Sequence, residues 1–209
     1  MQNINVTLNQ SSYLNSIIKY QIFALIIAII AIFITLKISP NSKPIFSFGN
    51  LSIIAQKEKW LGISGKTSWK SNAIQLSFFI SIATAIFMFL AVKYTGSLDN
   101  FKWSFIPFVI LISLTNSFSE EMIYRFAVNG NLPGITSKIN VLIISAILFG
   151  LPHYFGYPSG FIGVIMSGLL GYILSKATYE TQGFGVAWII HFIQDIIIFT
   201  ALFMMNTKG

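Results

Sequence analysis

Long apolar runs broken by short polar stretches dominate the chain. At helical length they mark six segments, at about 17–38, 73–92, 103–126, 139–155, 159–176 and 184–205. A helix rises about 1.5 Å per residue, so segments of this length approach or cross a hydrocarbon core of about 30 Å. The polar face of a soluble helix is missing: Tyr20–Leu36 carries no charge and only Gln21 and Thr35 as clearly polar members. Helices that are apolar all round are those solvated by lipid. The pattern predicts an all-α fold, a polytopic transmembrane helix bundle of about six membrane helices. Residues 1–102 supply the N-terminal membrane helices and a basic linker, and 103–205 supply the remainder.

Small residues refine this picture in the fifth segment, where Gly163, Ser167 and Gly171 recur every fourth position beside Gly160 and Gly168. That spacing lets two helices approach closely. The linker between the first two spans holds Lys37, Lys43, Lys57, Lys59, Lys66 and Lys70 against one acid, Glu58, which places it on the cytoplasmic side by the positive-inside rule. Both termini then lie outside, and the loops near Lys138 and Lys176 return to the cytoplasm. Within the linker, Trp60 and Trp69 among lysines suit either a short interfacial helix anchored by tryptophan or a solvated loop.

Composition narrows the chemistry. Of 209 residues 55% are hydrophobic and 9% charged, against about 25% charged in soluble domains. There is no cysteine, which excludes disulfides, thiolate metal sites and thiol nucleophiles. The net charge of +7 is spread over linkers, matching anionic lipid headgroups and arguing against nucleic acid as a partner. The first sixteen residues are uncharged and polar, so a removable signal peptide is not expected and the first membrane helix serves as the targeting signal.

Six acids, two histidines and one arginine remain to be placed. Glu58, Asp99 and Glu180 fall in expected linkers. Glu120, Glu121, Arg125, His153, His191 and Asp195 fall in or against apolar segments, where an ionised group costs about 2.5–3.5 kcal/mol on insertion scales. Glu121 and Arg125 are one helical turn apart, acid before base, and should pair. Glu120 lies about 100° around the helix and is left to face a cavity. Pro152 breaks its helix and presents His153. His191 and Asp195 share a helix face, where they could bind a metal, orient one another, or bond across to a neighbouring helix. Together these groups offer a base to activate water and donors or a cation to stabilise an oxyanion. No Gly-x-Ser-x-Gly turn or His-Glu-x-x-His helix is present.

The order and intervals of Glu120-Glu121-x-x-x-Arg125, Phe149-x-x-x-His153 and His191-x-x-x-Asp195 resemble the CPBP family of CAAX-processing and bacteriocin-processing intramembrane proteases, also called the Abi family. The resemblance covers about residues 103–205. It implies an intramembrane endopeptidase with a polar catalytic cavity, acting on membrane-embedded or lipid-anchored peptides or proteins in CAAX-type processing, bacteriocin maturation or self-immunity. By position it implies Glu120 as the water-activating base beside His153, Glu121 paired with Arg125, and His191 with residue 195 at the oxyanion. It leaves open a divalent metal such as zinc, held by Glu120, His153, His191 and Asp195, or a metal-independent glutamate mechanism. A multi-pass protein of a bacterial plasma membrane is the expected setting. The competing readings are a non-catalytic immunity or scaffold protein and a small proton-coupled transporter.

Two points sharpen these expectations. Asparagine is common in the family where Asp195 stands, and an ionised carboxylate cannot donate a hydrogen bond to an oxyanion. Asp195 is therefore expected to orient His191 or to ligate a cation. With the third span starting at 103, Glu120 lies about 25 Å along it, while His153 on an oppositely running helix approaches the other side. For the two to meet, a helix must be broken or a span boundary within 103–138 must move.

Overall fold

The computed structural model describes residues 12–206, so the expectation for the N-terminal segment falls largely outside the described residues. The chain forms α1 (Ser12–Ile38), α2 (Trp69–Tyr94), α3 (Ile106–Glu121), α4 (Ala127–Asn131), α5 (Lys138–Gly150), α6 (Gly160–Thr181) and α7 (Gly185–Asn206). A π-helical turn, Met122–Phe126, joins α3 to α4 without interruption. Six helices are therefore long and apolar enough to cross a membrane, the third running from Trp103 to Asn131 and the fourth from Lys138 to Phe155. Among the described residues there is no strand, only isolated bridges in loops.

The extension of the third span to Asn131 resolves the depth conflict. Counted from the end it shares with the start of α5, Glu120 lies about 16 Å into the bundle and His153 about 22 Å. The expected boundary of 126 was short because the polar run Asn129-Gly130-Asn131 is satisfied inside the protein. Asn129 Nδ2 donates to Arg125 O at 3.1 Å and Asn131 Nδ2 to Thr35 Oγ1 at 3.1 Å.

Polarity is inverted relative to a water-soluble bundle. Phe23, Phe33, Phe78 and Ile165 point outward, whereas Gln21, Asn116, Glu121, Arg125, Lys176, His191 and Gln194 are buried. In lipid no water is available to these groups, so each must find its partner within the protein. α3 packs between α1 and α7, α7 also lies against α2 and α6, and α5 pairs with α6. The small residues of α6 make that last pairing close, as their spacing predicts. A Cβ on Gly171 would stand 3.1 Å from Ala146 Cα, and one on Gly150 would stand 2.7 Å from Val164 O.

The linker between α1 and α2 closes one end of the bundle. Asn50 N donates to Thr181 O at 2.8 Å, and Phe184 N donates to Ile45 O at 3.0 Å. At its centre lies Glu180, which the sequence assigns to a linker but which sits buried near the end of α6. Its Oε1 accepts from Lys138 Nζ and Lys176 Nζ, both at 2.6 Å. Its Oε2 accepts from Trp69 Nε1 at 2.8 Å and Gln56 N at 2.9 Å. Lys176 likewise belongs to α6 rather than to a loop, and it is buried. Trp69 is fully buried at the start of α2 and so is no interfacial anchor, while Trp60 stands 55% exposed with its ring 5.3 Å from that of Tyr172.

Removing the Glu180 carboxylate from its four donors leaves Lys176, buried in α6, with Glu58 Oε2 at 3.9 Å as its remaining counter-charge. Glu180→Ala should lower stability by about 3 kcal/mol, read as a fall in the unfolding midpoint in detergent. Adding Lys176→Met should recover much of that loss.

Candidate active site

The inward face of α3 carries Ser113, Asn116, Ser117, Glu120 and Glu121, all buried. Glu121 faces two cations or potential cations. Its Oε2 lies 3.3 Å from Arg125 Nε, with both side chains fully buried, and its Oε1 lies 2.8 Å from His191 Nδ1. The ion pair predicted from the sequence is present, and the same carboxylate also reaches α7. Because a carboxylate accepts, His191 carries a proton on Nδ1, and its Nε2 turns the other way, toward two further carboxylates. That nitrogen lies 3.5 Å from Glu120 Oε2 and 3.6 Å from Asp195 Oδ1. The residue that orients His191 is thus Glu121.

Arg125 lies in the π-helical turn with its guanidinium carbon 4.0 Å from the centroid of the Phe149 ring. This cation–π stacking is the main contact of its outer nitrogens, since Nη1 and Nη2 have no hydrogen-bond partner among the described residues. Phe149 is a common wall for the site. Its ring centroid is 4.7 Å from that of His153, 5.4 Å from that of His191 and 5.5 Å from that of Tyr124.

His153 reaches the site because α5 ends at Gly150 and continues as a tight 3-10 turn, Leu151–Phe155, with Pro152 near its start. The break at proline is the one the sequence predicts. His153 Nδ1 donates to Phe149 O at 2.7 Å, which leaves Nε2 free. Both histidines are anchored through Nδ1, but Nε2 of His191 faces Glu120 and Asp195 while that of His153 stays open. The turn is held by α6, where Gly163 lies so close to the carbonyl oxygens of Pro158 and His153 that no side chain fits.

Two cavities meet at His153. One, of about 310 Å³, is lined by Glu120, Tyr20, Tyr124, Pro152 and His153. The other, of about 210 Å³, joins His153, His191, Gln194 and Asp195 to apolar walls from Ile80, Phe87, Leu170 and Ile198. All six residues expected at the site line these cavities or touch those that do. Glu120, Glu121, Arg125, His191 and Asp195 form one contact network, and His153 shares a cavity with Glu120. Among the described residues no three histidine, aspartate or glutamate side chains are grouped to hold a metal ion.

Three site residues were not singled out in the sequence. Tyr20 OH donates to Glu120 Oε1 at 3.4 Å. Asn116 Nδ2 donates to Asp195 Oδ2, and Gln21 Nε2 donates to Asn116 Oδ1, each at 3.0 Å. Gln21 was visible only as a polar exception in an apolar run, and Asn116 as a polar residue one turn before Glu120.

Residues 102–197 match the family model described as type II CAAX prenyl endopeptidase Rce1-like, in agreement with the resemblance to the CPBP family. No curated protein and no solved structure matches the chain.

The close approach at Gly163 gives a direct test of how His153 is placed. Gly163→Ala should destabilise by about 1–3 kcal/mol through overpacking. Gly168→Ala, whose added carbon would meet only Ala146 O at 3.6 Å, should not; unfolding midpoints of the two variants compare them.

Proposed function

Taking as premise that residues 102–197 belong with the CPBP family of type II CAAX prenyl endopeptidase-like membrane proteases, we propose that this chain hydrolyses a peptide bond of a membrane-associated substrate within the bundle. The observation that carries the reading is the cavity that Glu120 and His153 line together, with His153 also lining a neighbouring, largely apolar cavity.

Water held in that cavity between Glu120 and Nε2 of His153 gives a proton to Glu120, and its oxygen forms a bond to the scissile carbonyl carbon. The developing oxyanion needs a donor, and with Nδ1–H engaged by Glu121 the donor on His191 is Nε2–H in the protonated ring. Arg125 acts through Glu121, fixing the carboxylate that holds His191. As the C–N bond breaks, the proton from water passes to the leaving amine by way of Glu120, with the free Nε2 of His153 bordering the same space. The products are a carboxylic acid and an amine, which become carboxylate and ammonium once the acid's proton passes to the amine. Asp195 accepts from Asn116 and does not serve as an oxyanion donor in its ionised form.

The apolar walls suit a substrate that arrives with its lipid-soluble part in the bilayer, and the family's printed description points to CAAX-type peptides. Bacteriocin maturation or self-immunity would use the same hydrolysis on a different membrane peptide.

The test is cleavage of a farnesylated peptide ending in a CAAX sequence by protein reconstituted in liposomes, with and without chelator. Glu120→Gln should lower kcat about 10²–10⁴-fold, and His153→Ala should abolish cleavage. Cleavage that survives in Glu120→Gln would remove the mechanism, and cleavage lost to chelator and restored by zinc would replace it with a cation-dependent one. Proton-coupled uptake by a protein without cleavage would favour transport.

A further inference from the structure

The structure assigns Gln21 and Asn116 as positioning residues for Asp195, so that α1, outside the family-matched segment, is part of the site. This rests on the proteolytic reading only for its activity readout. Four side chains form a line: Thr115 Oγ1 lies 3.0 Å from Gln21 Oε1, Gln21 Nε2 lies 3.0 Å from Asn116 Oδ1, and Asn116 Nδ2 lies 3.0 Å from Asp195 Oδ2. Gln21, Asn116 and Asp195 are all buried, which leaves the line without bulk water as a substitute partner.

The direction of this relay is dictated from one end. An ionised carboxylate only accepts, so Asn116 must present its NH₂ to residue 195 and its carbonyl to Gln21. Gln21 must then present its NH₂ to Asn116 and its carbonyl to Thr115. The hydroxyl of Thr115 both donates and accepts, so it tolerates either direction. With Oδ2 held by Asn116, Asp195 turns Oδ1 toward His191 Nε2, 3.6 Å away. The two amides thus couple the chemistry of residue 195 to that of a residue 174 positions earlier in the sequence.

A carboxylate at position 21 would force the relay to run backward. Asn116 would turn its NH₂ toward α1 and its carbonyl toward Asp195, setting acceptor against acceptor. An amide at position 195 would repair this by donating to Asn116.

The experiment is a cycle of wild type, Gln21→Glu, Asp195→Asn and the double variant, repeated with Asn116→Ala. It is read as kcat/KM on the farnesylated CAAX peptide and as unfolding midpoint in detergent. Gln21→Glu alone should lower kcat/KM at least tenfold and lower the midpoint. Asp195→Asn should recover activity and midpoint in that background, and the coupling should vanish with Asn116→Ala. Additive effects of the two substitutions, or coupling that persists without Asn116, would overturn the assignment. If wild type cleaves nothing, the proteolytic reading fails while the midpoints still decide the relay.

Discussion

Glu121 divides its two oxygens between Arg125, one turn along the same helix, and His191 on α7. In a medium that supplies no water, a carboxylate in this position cannot exist without both a compensating charge and hydrogen-bond donors. The pairing therefore fixes more than a local contact. It sets the distance between α3 and α7, dictates which nitrogen of His191 carries a proton, and turns the other nitrogen toward Glu120 and Asp195. Arg125 in turn lies on Phe149, whose ring touches both histidines. Position and protonation across the site trace back to one fully buried acid.

The spans were legible in the sequence because hydrophobic length is a local property. Tyr20–Leu36 needs no knowledge of its neighbours to be read as a membrane helix. The pairing of Glu121 with Arg125 was legible for the same reason, since helical periodicity puts them together. Partners from distant segments were not. Glu180 looked like a loop acid because its cations, Lys138 and Lys176, and the indole of Trp69 converge on it only in the folded bundle. For Asp195 the sequence left open a metal, His191 or a bond to another helix, and its direct hydrogen bond is to Asn116 on α3. An amide in an apolar helix is inconspicuous, and nothing in the local pattern says which helix it will meet.

One end of the bundle and its interior differ in how they are built. At that end, the linker between α1 and α2 is tied to α5, α6 and α7 through Glu180 and backbone hydrogen bonds. In the interior, the site is assembled from α1, α3, α5 and α7, with Gly163 of α6 holding the turn that carries His153. Charge saturation stabilises the first region. The second retains groups with spare valence, including Nε2 of His153 and the outer nitrogens of Arg125. That contrast separates a structural polar cluster from one suited to chemistry.

The span bearing Glu120, Glu121 and Arg125 has the lowest mean hydropathy of the six. Each isolated charge at a helix centre costs about 2.5–3.5 kcal/mol to insert, and only the Glu121–Arg125 pair is relieved within the helix itself. His191 and Asp195, the acceptor of Asn116, lie on α7, which follows α3 in the chain. The segment carrying these charges is thus the one the bilayer receives least readily alone, and its settled position in the membrane depends on a helix synthesised after it.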